Sequence, residues 1–467
     1  MRRHGPLRWL LLPVETKHRE LDAKLWLGCC AVERGYGVIL GEMDELHEKY
    51  LALPRGICLD KSIASGKLKA LRRMHRAGYR LCVNDEEALM AYNYPQRFLD
   101  SRLSSESLSM TAFFFAWGER QAELVRGAYP EYADRVHTVG NPRVDLLATQ
   151  LRELYAGEAN GIRERIGRYI LLPSNFCDLL HVNGPDFRLK QARAAGLVRN
   201  EDDVRMHAER RVHRQRVLDA FVEALHSIRH RFPDHALVVR PHPADDPDQW
   251  RHLVAGIDRC QVLYEGAAIP WLLGADAIFH NGCTTAVEAV LLGKRPISYH
   301  PFWDDRFEYH FQARVGSSVD KIESLLDILR TVIEAEPEER QADDRGLGRY
   351  IRVTPDRTAA EATLDLLARL ESKPRRLEYT WLNPNYARSR ILAAGKRLER
   401  RLRRRLRRQP IAERKPEPLK LQKWPSTALG EMEERLQRLR DVSGRFSDVR
   451  VTHLEGRLFI LTSDTQS

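Results

Sequence analysis

A chain of 467 residues has room for two or three domains, each with its own core. Its apolar share of 43% and charged share of 30% are those of a folded globular protein and argue against a disordered or membrane-embedded chain. The apolar run Trp9–Leu12 is too short for a signal peptide or a membrane-spanning helix, and we expect a buried first strand there.

The first part of the chain alternates strand-like and helix-like patterns, which predicts a parallel sheet covered by helices on both faces. The predicted strands are 8–14, 37–40, 56–59, 79–83, 111–117 and 136–139. The predicted helices are 20–34, 67–76 and 119–127. We assign residues 1–150 to a first Rossmann-like domain.

A second alternating unit occupies residues 151–372 and predicts another Rossmann-like domain. Its predicted strands are 169–173, 236–240, 261–264, 277–280 and 295–299. Its predicted helices are 215–232, 269–274, 285–292, 321–334 and 357–370, and a polar, basic insertion is expected at 177–210. The fold class is therefore α/β, with two doubly wound domains facing a cleft. Open sheets of this kind bind ligands beyond the carboxyl ends of their strands.

Residues 373–467 are predicted to be an appendage. Its final stretch predicts a helix at 429–439 and strands at 448–454 and 458–462, which either dock back or form a small hairpin unit. Of the net charge of +11, the segment Lys396–Arg408 carries +8, with leucines every fourth residue. This pattern favours adsorption to an anionic membrane surface. A nucleic-acid arm is less favoured because aromatic residues for base stacking are absent, and a merely solvated helix stays open.

The seven cysteines form no Cys-x-x-Cys or Cys/His cluster. This argues against a disulfide framework or a zinc site and fits a reducing cytoplasm. We predict a cytoplasmic protein that is peripheral on the cytoplasmic face of the inner membrane.

The segment 238–245 is the strongest candidate for chemistry. An apolar strand delivers Arg240 and His242 to its carboxyl end, and Pro241 and Pro243 stiffen the backbone around the imidazole. A histidine held in this way can donate to a phosphate oxygen, and the arginine can add a charge-assisted pair. The alternative is a strand end whose arginine and histidine form surface ion pairs.

The segment 277–296 is a strand, a turn at Asn281-Gly282 and a helix that opens with Thr284 and Thr285. Free backbone N–H groups and two hydroxyls predict an anion site, and glycine allows a ligand to approach the backbone. Glu288, one turn further, is placed to reach a ribose. Alternatively, a threonine only caps the helix and Glu288 is solvated.

These two motifs resemble the C-terminal half of GT-B glycosyltransferases. The Arg-Pro-His-Pro segment is similar to the His-Pro motif of bacterial sialyltransferases, capsule Kdo (3-deoxy-octulosonic acid) transferases and teichoic acid glycerophosphotransferases. The resemblance implies that His242 contacts the phosphate of a cytidine nucleotide. Up to about residue 370 the chain also resembles the bacterial surface carbohydrate biosynthesis group. The segments that carry this second resemblance are 13–24, 85–89, 139–145 and the two motifs.

Asp85, Glu86 and Glu87 follow the fourth predicted strand and are the candidate catalytic residues. Mutual repulsion is expected to raise at least one pKa, which suits a general base. Bacterial sialyltransferases carry a similar acidic motif ending in glycine, where this chain has Ala88. Related retaining Kdo transferases use a carboxylate as nucleophile. The alternative is an acidic helix start that complements the helix dipole.

Other polar residues at predicted strand ends complete the candidate site. Glu15 and Arg19 are expected on the acceptor side, and Asn141, Arg143 and Asn175 near the donor. We predict a metal-independent glycosyltransferase that moves Kdo or another ulosonic acid from a CMP-sugar to a lipid-linked surface glycan, with no cofactor besides this nucleotide-sugar substrate. The alternatives are a CDP-glycerol glycerophosphotransferase, a UDP-sugar 2-epimerase-like enzyme and a non-catalytic assembly protein.

Overall fold

The computed structural model describes residues 8–147, 150–194, 196, 198–335, 346–354, 356–370, 423–425 and 427–464. The basic segment Lys396–Arg408 lies outside these residues, so its predicted membrane role stays a prediction. Among the described helices, none is both long enough and apolar enough to cross a membrane.

The first sheet begins with six parallel strands in the order β2-β1-β3-β4-β5-β6. They are β1 (Arg8–Val14), β2 (Tyr36–Glu42), β3 (Ile57–Asp60), β4 (Arg80–Asn84), β5 (Thr111–Ala116) and β6 (Val136–Thr138). Side chains alternate between the faces of a strand, so Leu10 and Leu12 pack in one core while Leu11 packs in the other. Both faces are therefore buried, as a parallel sheet requires.

The second sheet is parallel throughout, in the order β12-β11-β10-β7-β8-β9. Its strands are β7 (Tyr169–Pro173), β8 (Ala236–Arg240), β9 (Cys260–Val262), β10 (Ala277–His280), β11 (Ile297–Tyr299) and β12 (Ser317–Val319). Two parallel α/β sheets confirm the predicted fold class, the two-domain Rossmann-like arrangement called GT-B.

The helices cover both sheets. In the first half they are Lys17–Glu33, Met43–Lys49, Leu68–Arg76, Met90–Asn93, Pro95–Arg102, Ser105–Ser109, Glu119–Ala128 and Pro142–Asp145. Those that follow are Ala156–Ile166, Phe187–Ala194, Glu201–Arg231, Pro247–Leu253, Ala268–Gly274, Thr285–Leu291, His310–Ala313, Ile322–Glu334, Ala359–Leu367 and Leu429–Ser443. The helix Glu201–Arg231 takes up the end of the predicted insertion, because a capping box at Asn200 and Asp203 starts it before its apolar stripe begins.

The C-terminal hairpin belongs to the first sheet. Its strands β13 (Val449–Glu455) and β14 (Leu458–Ser463) were predicted, and β14 pairs antiparallel with the edge strand β2. Burial of Phe459 and Leu461 in the first core explains this docking, because the apolar side chains leave water as the edge is covered. The appendage described here is thus part of the first domain, not a separate unit.

The segment that precedes the tail also returns to the first domain. The helix Ala359–Leu367 was predicted to end the second domain, but Asp145 accepts the backbone N–H groups of Ala359 and Ala360 at 2.7 and 2.9 Å. Arg352 donates its backbone N–H to the Trp117 carbonyl at 2.7 Å. The predicted boundary at 372 therefore does not mark where packing on the second domain stops.

The two domains meet through a mixed contact. An apolar cluster joins Leu89 and Trp117 of the first domain to Val287 and Phe311 of the second. Beside it, Asn93 donates to Gln312 Oε1 at 2.7 Å and accepts the Phe311 N–H at 2.8 Å. These contacts hold the carboxyl ends of the two sheets towards a shared cleft.

Candidate active site

A cleft of about 330 Å³, open to solvent, lies between the domains. It is lined by Arg19, Leu89, Trp117, Arg143, Val144, Leu147, Thr284, Val287, Glu288, Leu291 and Ile351. Four of the residues predicted from the sequence, from both domains, therefore share one cavity: Arg19, Arg143, Thr284 and Glu288.

His242 lies just beyond β8, and its ring is fixed by its own loop. The Ala244 N–H donates to His242 Nδ1 at 3.1 Å, so the proton of the neutral ring is on Nε2. Burial, together with Arg188 and Arg19, lowers the pKa of His242 to about 3, and Glu87 is among the charges that oppose this shift. His242 is thus a neutral Nε2–H donor close to charges from both domains.

Asp245 secures this loop. Its Oδ2 accepts the backbone N–H of His242 at 3.1 Å and the Ser174 hydroxyl at 2.8 Å. Burial raises the pKa of Asp245 to about 6. The carboxyl group therefore serves to hold the histidine loop against the end of β7.

Arg240 has a different role from the predicted one. Its guanidinium donates to the carbonyls of Glu265 and Gly266 at 2.8 and 2.6 Å and lies 5.7 Å from the ring centroids of Tyr264 and Trp271. Burial lowers the pKa of Arg240 to about 10. The side chain braces the loop after β9, so its assignment to the donor phosphate is corrected.

Asn175, Asn281 and Gly282 form the floor between β7 and β10. Asn281 accepts the Asn175 N–H at 3.0 Å and donates to the Asn175 carbonyl at 3.2 Å, and Asn175 Nδ2 donates to the Gly282 carbonyl at 3.2 Å. Gly282 has a φ of +81°, and a Cβ there would lie 2.8 Å from Tyr309 Cδ2. Both asparagines thus shape the site, and only glycine fits the turn.

Thr284 faces the cleft with an exposed side chain, while Thr285 contacts the Cys283 sulfur. No side chain caps the helix Thr285–Leu291, so the simple N-cap alternative does not hold for Thr284. Glu288 also lies in the cleft, where it forms an ion pair with Arg143 across the domain boundary.

The three acidic residues after β4 occupy different environments. Asp85 is fully buried and accepts two bonds from Arg102, at 3.1 and 2.7 Å. Glu86 is 2% exposed and lies between Lys24 at 3.6 Å and Arg143 at 3.4 Å. The Glu87 side chain is 38% exposed and pairs with Arg19 at 2.8 Å. Of the three, Glu87 is therefore the carboxylate that a substrate can reach.

The expected pKa increase in this triplet is wrong. Burial acts to raise the pKa of Glu87, but Arg19, Lys61 and Arg102 outweigh it and hold the pKa at about 2. Burial likewise opposes Lys24 and Arg143 at Glu86, whose pKa is lowered. Each carboxylate faces a cation of its own, so attraction to cations exceeds repulsion between the three acids.

The two residues predicted on the acceptor side, Arg19 and Glu15, lie in different environments. Arg19 lines the cleft and also donates to the Glu86 carbonyl at 2.8 Å, next to the catalytic candidate. Glu15 is held by Lys61 at 2.7 Å and by Lys423 from the C-terminal region. Arg19 is thus part of the site, while Glu15 belongs to an ion-pair network at its border.

Asn141 is buried and engaged within the protein. It donates to Asn84 Oδ1 at 2.6 Å and accepts the Arg143 N–H at 2.8 Å, which starts the helix Pro142–Asp145. It therefore positions Arg143 rather than lining the cleft itself.

Within the described residues, two groups have the side chains of metal ligands: His47 with Cys58 and Asp60, and Cys177 with His242 and Asp245. A cation already lies in each group, since Lys67 is 2.8 Å from Asp60 and Arg188 donates to the Cys177 sulfur at 2.8 Å. These cations disfavour a metal ion at either place, and metal independence stays a prediction.

Several residues of the site carry no signal in the sequence. Tertiary packing brings Lys24 to Glu86 and Arg102 to Asp85 as ion-pair partners, and it places the charge of Lys61 near Glu87. Trp117, whose ring centroid lies 5.7 Å from the Arg143 guanidinium, reads in the sequence as the end of a buried strand. For some of these residues, a position near a predicted strand end is the one feature of the sequence that could have indicated a place in the site.

Two facing Rossmann-like sheets with a charged cleft at their strand ends define a protein of the GT-B class. Comparison with known protein families finds no match, and neither does comparison with the sequences of characterised proteins.

Among solved structures, the chain is similar to two UDP-GlcNAc 2-epimerases and a wall teichoic acid polymerase. The Neisseria meningitidis epimerase is 12% identical, with 78% of this chain and 100% of that chain covered and a TM-score of 0.48. The Methanocaldococcus jannaschii epimerase is 12% identical, with 78% and 99% covered and a TM-score of 0.47. The polymerase TagF is 10% identical, with 78% and 88% covered and a TM-score of 0.46. Because these sequence identities and TM-scores are low, it is the two sheets of this chain that define its fold.

Proposed function

We propose that the chain is a glycosyltransferase that moves a sugar from a nucleotide-activated donor onto a bacterial surface glycan. The favoured donor is a CMP-activated sugar, with Kdo or another ulosonic acid as the sugar, as the resemblance of the His-Pro motif implies. The observation that carries the proposal is the fixed, neutral His242 just beyond β8, whose Nδ1 accepts the Ala244 N–H and whose nearby charges include Arg19 and Glu87 of the first domain.

His242 supports a phosphate site for two reasons. A neutral imidazole keeps its donor hydrogen throughout the physiological pH range, and the loop that fixes it needs no reorganisation when the phosphate charge grows. The Thr284 hydroxyl and the Arg19 guanidinium face the cleft and add further donors. Departure of the nucleotide phosphate then needs no separate general acid.

Glu87 is the proposed catalytic carboxylate. In the transfer, the bond between the anomeric carbon and the phosphate oxygen breaks, and a bond from the acceptor oxygen to that carbon forms. Glu87 either accepts the acceptor hydroxyl proton or attacks the anomeric carbon first, and both roles require the ionised form. Arg19 keeps Glu87 ionised, and its movement towards the donor phosphate would make the carboxylate more basic.

The proposal is tested by incubating the purified protein with CMP-Kdo, CDP-glycerol or UDP-GlcNAc and measuring nucleotide release, with and without acceptor glycan. Release of CMP from CMP-Kdo that depends on acceptor and is lost in Glu87→Gln supports it. The matched control is Glu106→Gln, an exposed carboxylate paired with Arg72. Turnover of CDP-glycerol alone would instead identify a glycerophosphotransferase. Conversion of UDP-GlcNAc without release would identify an epimerase. CMP binding without turnover, unchanged in Glu87→Gln, would favour the assembly protein.

We also propose that the acceptor is lipid-linked and that the basic segment Lys396–Arg408 adsorbs to the anionic membrane face. Co-sedimentation of the full chain with vesicles of anionic and of neutral phospholipid tests this. Binding to anionic vesicles alone, lost when 396–408 is deleted, supports the proposal, and equal binding by both chains contradicts it. Retention by nucleic acid with no vesicle binding would favour the nucleic-acid alternative.

A further inference from the structure

Four arginines surround a single aspartate beside the donor site. Arg188 and Arg210 come from the second domain, one from each of two helices, and Arg97 comes from the helix Pro95–Arg102 of the first. Arg214 follows Arg210 by one helical turn. We call these four residues the arginine cluster, and Asp178 is the aspartate.

The cluster has one negative partner within the described part of the chain. Asp178 lies 2.9 Å from Arg210 Nη2 and 3.9 Å from Arg188 Nε. Although burial raises the pKa of Asp178, the surrounding guanidinium groups lower it to about 2. The Arg97 guanidinium makes no ion pair or hydrogen bond with a described residue, and only the Arg97 carbonyl is engaged, by the Ser101 hydroxyl. Four positive charges therefore face one carboxylate.

The excess positive charge is not all exposed to solvent, because Arg214 is buried. Its side chain is 0% exposed and lies 4.9 Å from the Phe176 ring centroid. One nitrogen donates to the Asn175 carbonyl, while Nε and Nη1 are buried with no hydrogen-bond partner. A buried guanidinium with two unsatisfied nitrogens, which shares one aspartate with three other arginines, destabilises a fold unless a further anion compensates it. Its presence therefore points to a ligand.

The cluster borders the proposed donor phosphate site. Arg188 is the strongest charged influence on His242, and the Asn175 carbonyl that Arg214 contacts belongs to the cleft floor. Arg210 donates to the Tyr309 hydroxyl at 3.0 Å, and Tyr309 packs on Gly282. The ring centroids of Tyr309 and Tyr94 are 6.0 Å apart, so both domains contribute to this corner.

We propose that the arginine cluster binds a second anionic group of a substrate, a carboxylate or a phosphate distinct from the donor phosphate at His242. The inference rests on the proposed function and deepens it, because it makes the cluster the determinant that selects an anionic sugar or acceptor. The group sits on the transferred sugar or on the acceptor. In either position it gains charge-assisted hydrogen bonds that a neutral substrate cannot make.

Calorimetric titration with matched probes tests the cluster. UDP-glucuronate and UDP-glucose differ by one carboxylate, and CMP-N-acetylneuraminate and CMP differ by an acidic sugar. N-acetylglucosamine 1-phosphate, titrated without nucleotide, represents a phosphate-bearing acceptor. The variant is Arg97→Gln, which removes one exposed charge, and the control is Arg205→Gln, an exposed arginine on the helix that carries Arg210.

We expect the wild type to bind the acidic member of at least one pair, or the sugar phosphate, and Arg97→Gln to lose about 10-fold in that affinity. Loss with the nucleotide sugars places the group on the transferred sugar, and loss with the sugar phosphate places it on the acceptor. Affinity for CMP and UDP-glucose stays unchanged. Tighter binding of the uridine nucleotides than of the cytidine nucleotides would refute the CMP donor. The comparison of UDP-glucuronate with UDP-glucose would still test the arginine cluster. No preference for any acidic probe, or an equal effect of Arg205→Gln, overturns the inference.

Arg214→Met provides a second, independent test. Removal of a buried charge that has no carboxylate of its own leaves the melting temperature of the free protein unchanged or raises it, while the affinity for the acidic probe falls about 10-fold or more. A lower melting temperature with full affinity for the acidic probe would make Arg214 a structural residue and contradict the inference.

Discussion

Replacement of Asp85 by asparagine is expected to destabilise the protein far more than replacement of Glu87 by glutamine, although the two carboxylates are neighbours in sequence. Asp85 is 0% exposed and accepts two hydrogen bonds from Arg102, whose side chain is 18% exposed. Glu87 is 38% exposed and faces Arg19 at the cleft. The first substitution leaves a largely buried guanidinium unpaired, and the second opens a solvated pair.

The magnitudes follow from the two environments. Removal of one partner of a buried ion pair costs about 3–5 kcal/mol, and partial exposure of Arg102 places Asp85→Asn near about 3 kcal/mol. An exposed pair contributes at most about 1 kcal/mol, so Glu87→Gln stays below that value. Since the buried partners are coupled, the double variant Asp85→Asn/Arg102→Met is less destabilised than the sum of the single variants by about 2 kcal/mol.

Urea unfolding followed by tryptophan fluorescence measures these free energies. Equal destabilisation by Asp85→Asn and Glu87→Gln would refute the assignment of different roles. Additive effects of Asp85→Asn and Arg102→Met would show that the observed pair carries no coupling energy.

Three further changes have defined outcomes. Gly282→Ala is expected to cost about 1–2 kcal/mol in the same urea assay, because alanine strains the left-handed turn and meets Tyr309, and an unchanged midpoint would contradict this. A chain that ends at residue 446 keeps the helix Leu429–Ser443 but lacks β13 and β14, exposes the edge of β2 and is expected to aggregate, as judged by size-exclusion chromatography. Its control, which lacks only 465–467, remains monodisperse. Burial raises the pKa of Asp145 to about 6, so the folded chain holds this proton more tightly than the unfolded chain, and stability falls as pH rises from about 4 to 6. Relative to Asp145→Asn, the wild type should lose up to about 3 kcal/mol across this window, and parallel pH profiles of the unfolding midpoint would exclude the effect.

Much of the fold could be predicted where local signals are strong. The strands Arg8–Val14, Tyr169–Pro173 and Ala277–His280 coincide with the predicted ones, because each is a continuous apolar run. The start of the helix Glu201–Arg231 was missed because its first turns are charged and carry no apolar periodicity. Docking of the C-terminal hairpin on β2 is a long-range choice between sheet edges, which no local pattern encodes.

In the candidate site, too, features with a local signal could be predicted and features set by long-range packing could not. Strand ends placed Arg19, Arg143, Thr284 and Glu288 correctly near one cleft, since parallel strands deliver their carboxyl ends to one edge. The ion-pair partners were not predictable, because Arg143 and Glu288 are 145 residues apart and meet only through domain packing. This same packing supplies the cations that lower the pKa of Glu86 and Glu87, where the sequence predicts an increase.

The position of Arg240 could be predicted from the sequence, but the direction of its side chain could not. The residue ends β8 as predicted, yet its guanidinium turns to the carbonyls of the loop after the neighbouring strand. Burial favoured this, because a buried guanidinium needs fixed acceptors. His242, two residues further along the chain, is therefore the hydrogen-bond donor that we propose for the phosphate at the end of β8.

His242 is proposed to hold the phosphate of a cytidine nucleotide. The affinity of the protein for CMP, measured by calorimetry, tests this role most directly. The loss of one hydrogen bond to a charged phosphate predicts at least a tenfold weaker affinity in His242→Ala. The control His252→Ala removes an exposed histidine of the following helix and leaves the affinity unchanged. Equal CMP affinity of the wild type and His242→Ala would contradict the proposed donor site.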